Sequence, residues 1–295
     1  MKPIRHPLFC VVALLLAVPG ALAQVGGGSA AFSQGRSKLD AARAAELAKR
    51  VLPEGLTGRY VEASVLLNAE ADRYIATFAV SREGKTLEAA QKSADETVAA
   101  LVERFKGLGV GADALFVDFV SQNRLYAFQV EGNFAKEVVD GFEVKKNVVV
   151  RYREKAMLDR ITLSAGQVGV YDLVKVDYIV DDLDAIRRRL IEEASRIVKA
   201  KLAEEASMLG IRPGKPQQVM TLATGTYFPV ELYDQYVAQE SEEVFGYRTE
   251  LTIVRARKPR TFFWNGFSAK DFDAVINPAS VEPSVQFTLF LRVRC

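Results

Sequence analysis

Two long stretches of helical periodicity, each stopping at Leu-Gly and feeding a strand-like segment, restrict this chain to a small set of folds. After Thr86, which can cap a helix, the apolar positions Leu87, Ala90, Ala94, Val98, Leu101 and Phe105 step by three or four toward Gly107-Leu108-Gly109. After Asp181 or Asp182 the same stepping runs through Leu183, Ile186, Leu190, Ala194, Ile197, Leu202, Ala206 and Leu209 to Gly210. Pro213, Gly214 and Pro216 prevent that helix from resuming. At 1.5 Å per residue the second helix is roughly 40 Å long and crosses most of a sheet. Leu108-Gly109-Val110 and Leu209-Gly210-Ile211 therefore mark one architecture used twice, about 100 residues apart. Stripes this long bury themselves by covering strands.

The strands are legible from β-branched and aromatic enrichment. Tyr60 to Asn68 and Tyr74 to Ser81 read as two strands or one long bent strand, with Glu83-Gly84 as the turn that follows. Leu115 to Ser121 is a strand, followed by a polar excursion and a second strand over Phe142 to Arg153. A short helix over Met157 to Ala165 precedes a strand over Val170 to Val180. Val219 to Thr226, Tyr247 to Arg257 and Ser284 to Arg294 complete the set, and in the last Val285, Phe287, Leu289, Leu291 and Val293 alternate with polar or aromatic neighbours. Near the N-terminus, Ser37 with Asp40 forms a capping-box-like start for a helix over Ala41 to Leu52, ended by Pro53 and Gly55. Together these elements predict an α+β fold, a mostly antiparallel sheet with the two long helices packed on one face.

Lys2 and Arg5, the apolar run from Leu8 to Val18 and Ala21-Leu22-Ala23 have the layout of a cleaved export signal, with cleavage between Ala23 and Gln24. The apolar run is about 11 residues against the roughly 20 that span a bilayer, so no transmembrane span is expected in the mature chain. Cleavage removes His6, which is the single histidine, and Cys10, one of two cysteines. A Ser-His-Asp or Cys-His arrangement then cannot be built, and the commonest transition-metal ligand is missing. No catalytic, cofactor-binding or metal-binding residues are expected, nor any cofactor. The signal carries two basic residues and no acid, which leaves the mature chain with equal numbers of each and no basic excess for nucleic acid. Cys295, the last residue, can form no internal disulfide, and is a candidate for a disulfide between subunits or a free thiol. The expected organisation is a signal peptide over 1–23, a Gly-, Ser- and Ala-rich linker over 24–36, a helix and connection over 37–58, an α+β core over 59–224 and an aromatic-rich extension with the closing strand over 225–295.

Four stretches also carry a family likeness. They are Val61 to Val80 with Ala71-Asp72 inside, Thr86-Leu87-Glu88-Ala89-Ala90-Gln91, Gly141-Phe142-Glu143 before Val148-Val149-Val150, and Asp182 to Gly210 followed by Gly214-Lys215-Pro216. Over about Tyr60 to Thr224 the chain resembles the SIMPL family of exported bacterial envelope proteins. Ala71-Asp72 stands where the family usually has Pro-Asp, and the segment after Thr224 is longer and more aromatic. The resemblance implies a periplasmic protein that is not an enzyme, forms homo-oligomers in part of the family, and is linked loosely with envelope stress. It supplies no catalytic residues.

One segment stands apart as a candidate ligand or interface site. Arg255, Arg257, Lys258 and Arg260 are followed by Phe262, Phe263 and Trp264, basic side chains beside an aromatic cluster. Such a segment suits anionic lipid headgroups or an envelope glycan, or alternatively anchors a core or a subunit interface. Tyr227, Phe228, Tyr233 and Tyr236 form a second aromatic group able to pack against the first. Of the carboxylate clusters, Asp181, Asp182 and Asp184 lie where a helix N-terminus favours acids, and Asp271 and Asp273 flank Phe272. Two readings follow: a self-associating envelope scaffold, and a binding module for glycans or anionic lipids.

Overall fold

The computed structural model describes residues 35–52, 58–237, 260–278 and 282–295. The export signal, the strand expected over Tyr247 to Arg257, and Arg255, Arg257 and Lys258 lie outside the described residues.

The described chain contains four α-helices, α1 (Gly35–Lys49), α2 (Leu87–Gly107), α3 (Met157–Gly166) and α4 (Leu183–Leu209). Its ten strands are β1 (Tyr60–Ala69), β2 (Arg73–Gly84), β3 (Leu115–Glu131), β4 (Phe134–Tyr152), β5 (Asp172–Ile179), β6 (Gln218–Tyr227), β7 (Tyr233–Val237), β8 (Arg260–Trp264), β9 (Ala274–Ile276) and β10 (Val285–Arg294). They make one sheet in the order β6-β10-β1-β9, a second in the order β3-β4-β2-β5, and a β7-β8 ribbon. Every pairing is antiparallel except the short parallel contact of β1 with β9.

The fold is α+β with antiparallel pairing dominant, as the sequence predicts, and the two long helices are divided between the two sheets. α2 turns Ala90, Ala94, Val98, Leu101 and Phe105 onto β2 and β4, where Phe105 meets Phe78 with ring centroids 5.6 Å apart. α4 turns Ile186, Leu190, Ala194, Ile197, Val198, Leu202 and Ala206 onto β1 and β10. Leu183 and Leu209, the ends of that stripe, stay exposed because the helix overruns the sheet it covers. The separation follows from pairing: β1 and β2 are joined by a short turn, yet β1 bonds β10 and β9 while β2 bonds β4 and β5.

Both long helices begin as their sequences dictate. Thr86 Oγ1 accepts from the Ala89 N–H at 3.2 Å, and Asp182 Oδ1 from the Ala185 N–H at 2.8 Å. Gly210, at φ 62°, supplies the left-handed C-terminal stop of α4. Asp72, in the turn after β1, accepts the Asp181 N–H at 2.8 Å and so ties the β1–β2 turn to the entry of α4. The N-terminal helix starts earlier than expected, at Gly35, and ends at Lys49.

Two outcomes depart from the sequence reading and matter for function. The polar excursion after Ser121 is not a break, because β3 and β4 continue past it as one antiparallel hairpin to Gly132. And β10 is buried along both faces rather than one: Val285, Phe287, Leu289, Leu291 and Val293 face α4, while Gln286, Thr288 and Arg292 are buried as well.

Candidate functional site

The second face of β10 is a polar seam. Thr288 Oγ1 donates to Glu46 Oε1 of α1 at 2.6 Å, and Tyr227 of β6 donates to the same oxygen at 2.6 Å. Lys49 pairs with Glu46 and also donates to Thr288 Oγ1 at 3.0 Å. Gly225, opposite Thr288 in the register, makes this possible: a Cβ there would stand 2.6 Å from Lys49 Nζ and 2.7 Å from Glu46 Oε1. Burial, and then the hydrogen bond to Glu46, push the Tyr227 phenol well above its ordinary value, which keeps it a donor. Further along, fully buried Arg292 donates to Glu62 Oε1 at 2.7 Å and to the backbone carbonyls of Val51 at 3.2 Å and Arg50 at 2.9 Å. Those carbonyls lie just past the end of α1, where orphan acceptors and the negative end of the helix dipole favour a cation.

Beside the seam lies a cleft of about 560 Å³. Arg43, Glu46 and Leu47 of α1 with Arg50 just past its end form one wall, and the segment from Asn265 to Phe272 forms the other. Arg50 bridges the walls: its guanidinium donates to the Asp271 carbonyl and lies 5.8 Å from the centroid of the Phe272 ring. Phe267 meets Tyr227 edge-on at 4.8 Å and Phe272 edge-on at 6.1 Å. Its backbone N–H donates to Gln286 Oε1 at 2.7 Å, which fixes this wall to β10.

The segment singled out by sequence is divided by the fold. Arg260, Phe262, Phe263 and Trp264 form β8. The two aromatic groups do pack together, with Tyr233 opposite Trp264 in the β7-β8 register and Trp264 lying against the small core of Leu39, Ala42, Tyr227 and Leu232. Arg260 and Phe263 face solvent. Cys295 is half-buried against the first sheet's core, with its N–H donating to the Arg59 carbonyl at 3.0 Å.

The carboxylate clusters serve the fold. Asp182 caps α4, Asp181 pairs with Arg73, and Asp273 accepts from the Ser64 N–H at 2.8 Å and from Lys201 at 2.6 Å. Residues that sequence reasoning passed over are Arg43, Glu46, Arg50 and Lys270. The first three follow one another at spacings of three and four along α1 and the residue just past its end, a signal that was present and reads by default as a solvated helix face.

The β3–β4 hairpin carries a run of exposed large apolar side chains. Pairing of β4 with β2 ends at Gly84 opposite Phe142, and beyond it residues 125–141 run as a free two-stranded ribbon. Tyr126 faces Val139, Phe128 faces Glu137 and Val130 faces Ala135, so these partners share one side of the ribbon. Phe128 is 69% exposed, Val130 73%, and Phe134 near the tip 81%. Gly132 turns the ribbon at φ 61°, the backbone that a tight hairpin asks of glycine. Among the described residues, no helix is long and apolar enough to cross a membrane.

The family model of SIMPL, "Protein of unknown function (DUF541)", matches residues 60–257. The match starts at β1, where the likeness in the sequence starts, and extends beyond Thr224. The 26 kDa periplasmic immunogenic proteins of Brucella melitensis and Brucella abortus are each 24% identical over 174 residues, covering 55% of this chain and 69% of theirs. Among solved structures, a tripeptidase from Staphylococcus aureus aligns at 15% identity over 61% of this chain and 47% of its own, with a TM-score of 0.18. The chain spans about half the length of that peptidase, and a score so low carries no structural or functional weight.

Proposed function

Because the chain belongs to the SIMPL family, whose function is unassigned, we propose that it is a non-enzymatic periplasmic protein that self-associates, with the β3–β4 ribbon as its joining surface. The observation that carries this reading is the ribbon's exposed apolar side. A two-stranded ribbon is marginal in water by itself, and one that exposes Tyr126, Phe128, Val130 and Val139 on one side gains stability from a covering surface. β3 is also the terminal strand of its sheet, so its outer edge offers a row of backbone donors and acceptors to another chain. The periplasmic location is supported by the export-signal pattern over 1–23 and by the naming of the Brucella relatives. A part in envelope stress defence belongs to the same reading and rests on the family likeness. A cross-link through Cys295 would be a further tie between copies, visible as a band that reducing agent removes.

Light scattering of the mature chain over a wide concentration range tests the proposal. The expected mass is a multiple of the monomer, and Phe128→Lys with Val130→Lys returns it to the monomer while leaving the far-ultraviolet circular dichroism of a folded chain, since both side chains are exposed. A monomeric wild type at every concentration would sink the idea.

A further inference from the structure

The cleft between α1 and residues 265–272 has features that self-association does not use. Its walls are fixed before any ligand arrives, by the Arg50 bridge to Asp271, by the Phe267 N–H on Gln286, and by Asp273 on Ser64 at the far end of the segment. Its volume of about 560 Å³ falls within the few hundred to about 1,000 Å³ usual for small-molecule sites. Arg43, Arg50 and Lys270 line it against Glu46 and Asp271, and Lys49 neutralises Glu46, which leaves a cationic excess. Arg50 is engaged with the opposite wall. Arg43 and Lys270 have neither a hydrogen bond nor an ion pair among the described residues. The rings of Phe267 and Phe272 line the same space and supply an apolar side.

We propose that this cleft binds a small carboxylate with a flat apolar body. Arg43 and Lys270 receive the carboxylate, the guanidinium offering the paired N–H donors that match its two oxygens. Phe267 and Phe272 flank the body, and Leu47 closes the outer lip. Glu46 lies at the floor with one oxygen already filled by Thr288, Tyr227 and Lys49, and its negative charge turns the ligand's carboxylate outward toward the free cations.

The protein carries its own reporter. Trp264 is the single tryptophan, and its indole sits behind Gly266 of the cleft wall, where a Cβ would stand 2.5 Å from Cζ2. Titration of the mature chain with naphthoate, followed by Trp264 emission and in parallel by calorimetry, should give saturable binding. Naphthylmethanol, the uncharged analogue, should bind at least about tenfold more weakly. The double variant Arg43→Ala, Lys270→Ala should likewise lose about tenfold in affinity, the scale of one charge-assisted hydrogen bond. Both positions are exposed, so the variant keeps the wild-type urea midpoint. No saturable signal by either method, equal binding of the alcohol, or unchanged affinity in the double variant would each overturn the proposal. Displacement of naphthoate by inorganic phosphate at similar concentration would overturn the ligand class. None of these readouts depends on the ribbon, so the outcome is separate from that of the self-association proposal.

Discussion

Asp273 shows how single side chains join the elements of the first sheet. It follows the cleft wall, immediately precedes β9, and holds the Ser64 N–H of β1 and the Lys201 ammonium of α4 together. Burial pushes its carboxyl up, but the hydrogen bonds from Lys201 and Ser64 outweigh that and hold it below the usual carboxylate range. A carboxyl whose folded value lies below its unfolded value, near 3.9, stabilises the fold above that unfolded value, and the contribution is lost as pH falls through the folded one. Asp273→Asn should therefore cost about 1 kcal/mol at pH 7, solvent screening of a partly exposed site included, and the gap to wild type should narrow as pH falls below the ordinary carboxylate range. Urea unfolding followed from neutral pH downward measures it, and a gap that does not change with pH would refute the assignment. Sequence placed Asp273 in a carboxylate pair with Asp271; the pair is not a unit, since Asp271 gives its carbonyl to Arg50 while Asp273 faces the sheet.

At the scale of elements, α1 is held by side chains that sequence patterning assigns to solvent. Gln286, Thr288 and Arg292 occupy the off-phase positions of β10, and in a sheet with one wet face they would be exposed. Here α1 and the segment after β8 cover them, with Glu46, Lys49 and the carbonyls of Arg50 and Val51 as partners. Arg292→Met keeps an unbranched apolar stem and removes every one of the side chain's donors, leaving Glu62 and both carbonyls without that partner. The expected loss is about 3 kcal/mol. Residues 35–52 should also become sensitive to limited proteolysis before the rest of the chain unfolds. Unchanged proteolysis together with an unchanged urea midpoint would show that Arg292 does not anchor the helix. The helix itself was legible from the spacing after Asp40, although it begins at Gly35 and Ser37 lies inside it rather than capping it; its docking partner was not, because the partner lies more than two hundred residues away in sequence.

For the whole molecule, the decisive connection is between the beginning and the end of the folded chain. β10 lies between β1 and β6, with Tyr60 opposite Arg294 and Ala69 opposite Val285. Removing residues 285–295 withdraws Val285, Phe287, Leu289, Leu291 and Val293 from the first core, at about 2 kcal/mol each, which approaches the whole stability of a domain. The truncated chain should lose the cooperative urea transition of the first sheet and part of its far-ultraviolet circular dichroism. A native-like transition at the wild-type midpoint would contradict the topology. The second sheet, with α2 and α3 over its own core, does not include β10, and its signal is expected to persist in part.

By itself the sequence determined the α+β class, the two long helices with the cap at Thr86 and the stop at Gly210, the strand segments of both sheets over 60–227 save the extent of the β3–β4 ribbon, and the closing strand, while the choice of Asp182 over Asp181 as cap and of two strands over one bent strand at 60–84 came from the structure. The former follow from local periodicity and capping, which need no knowledge of distant residues. Only the tertiary structure decided that each long helix has its own sheet, that the hairpin projects beyond its neighbours, and that the polar face of β10 is buried under α1 to form a seam and a cleft. Those outcomes depend on which strand pairs with which and on charged partners such as Glu46 and Arg292 finding each other across the length of the chain. A pattern of apolar and polar residues records that a side chain is polar; whether water or another side chain satisfies it is settled only when the chain closes on itself.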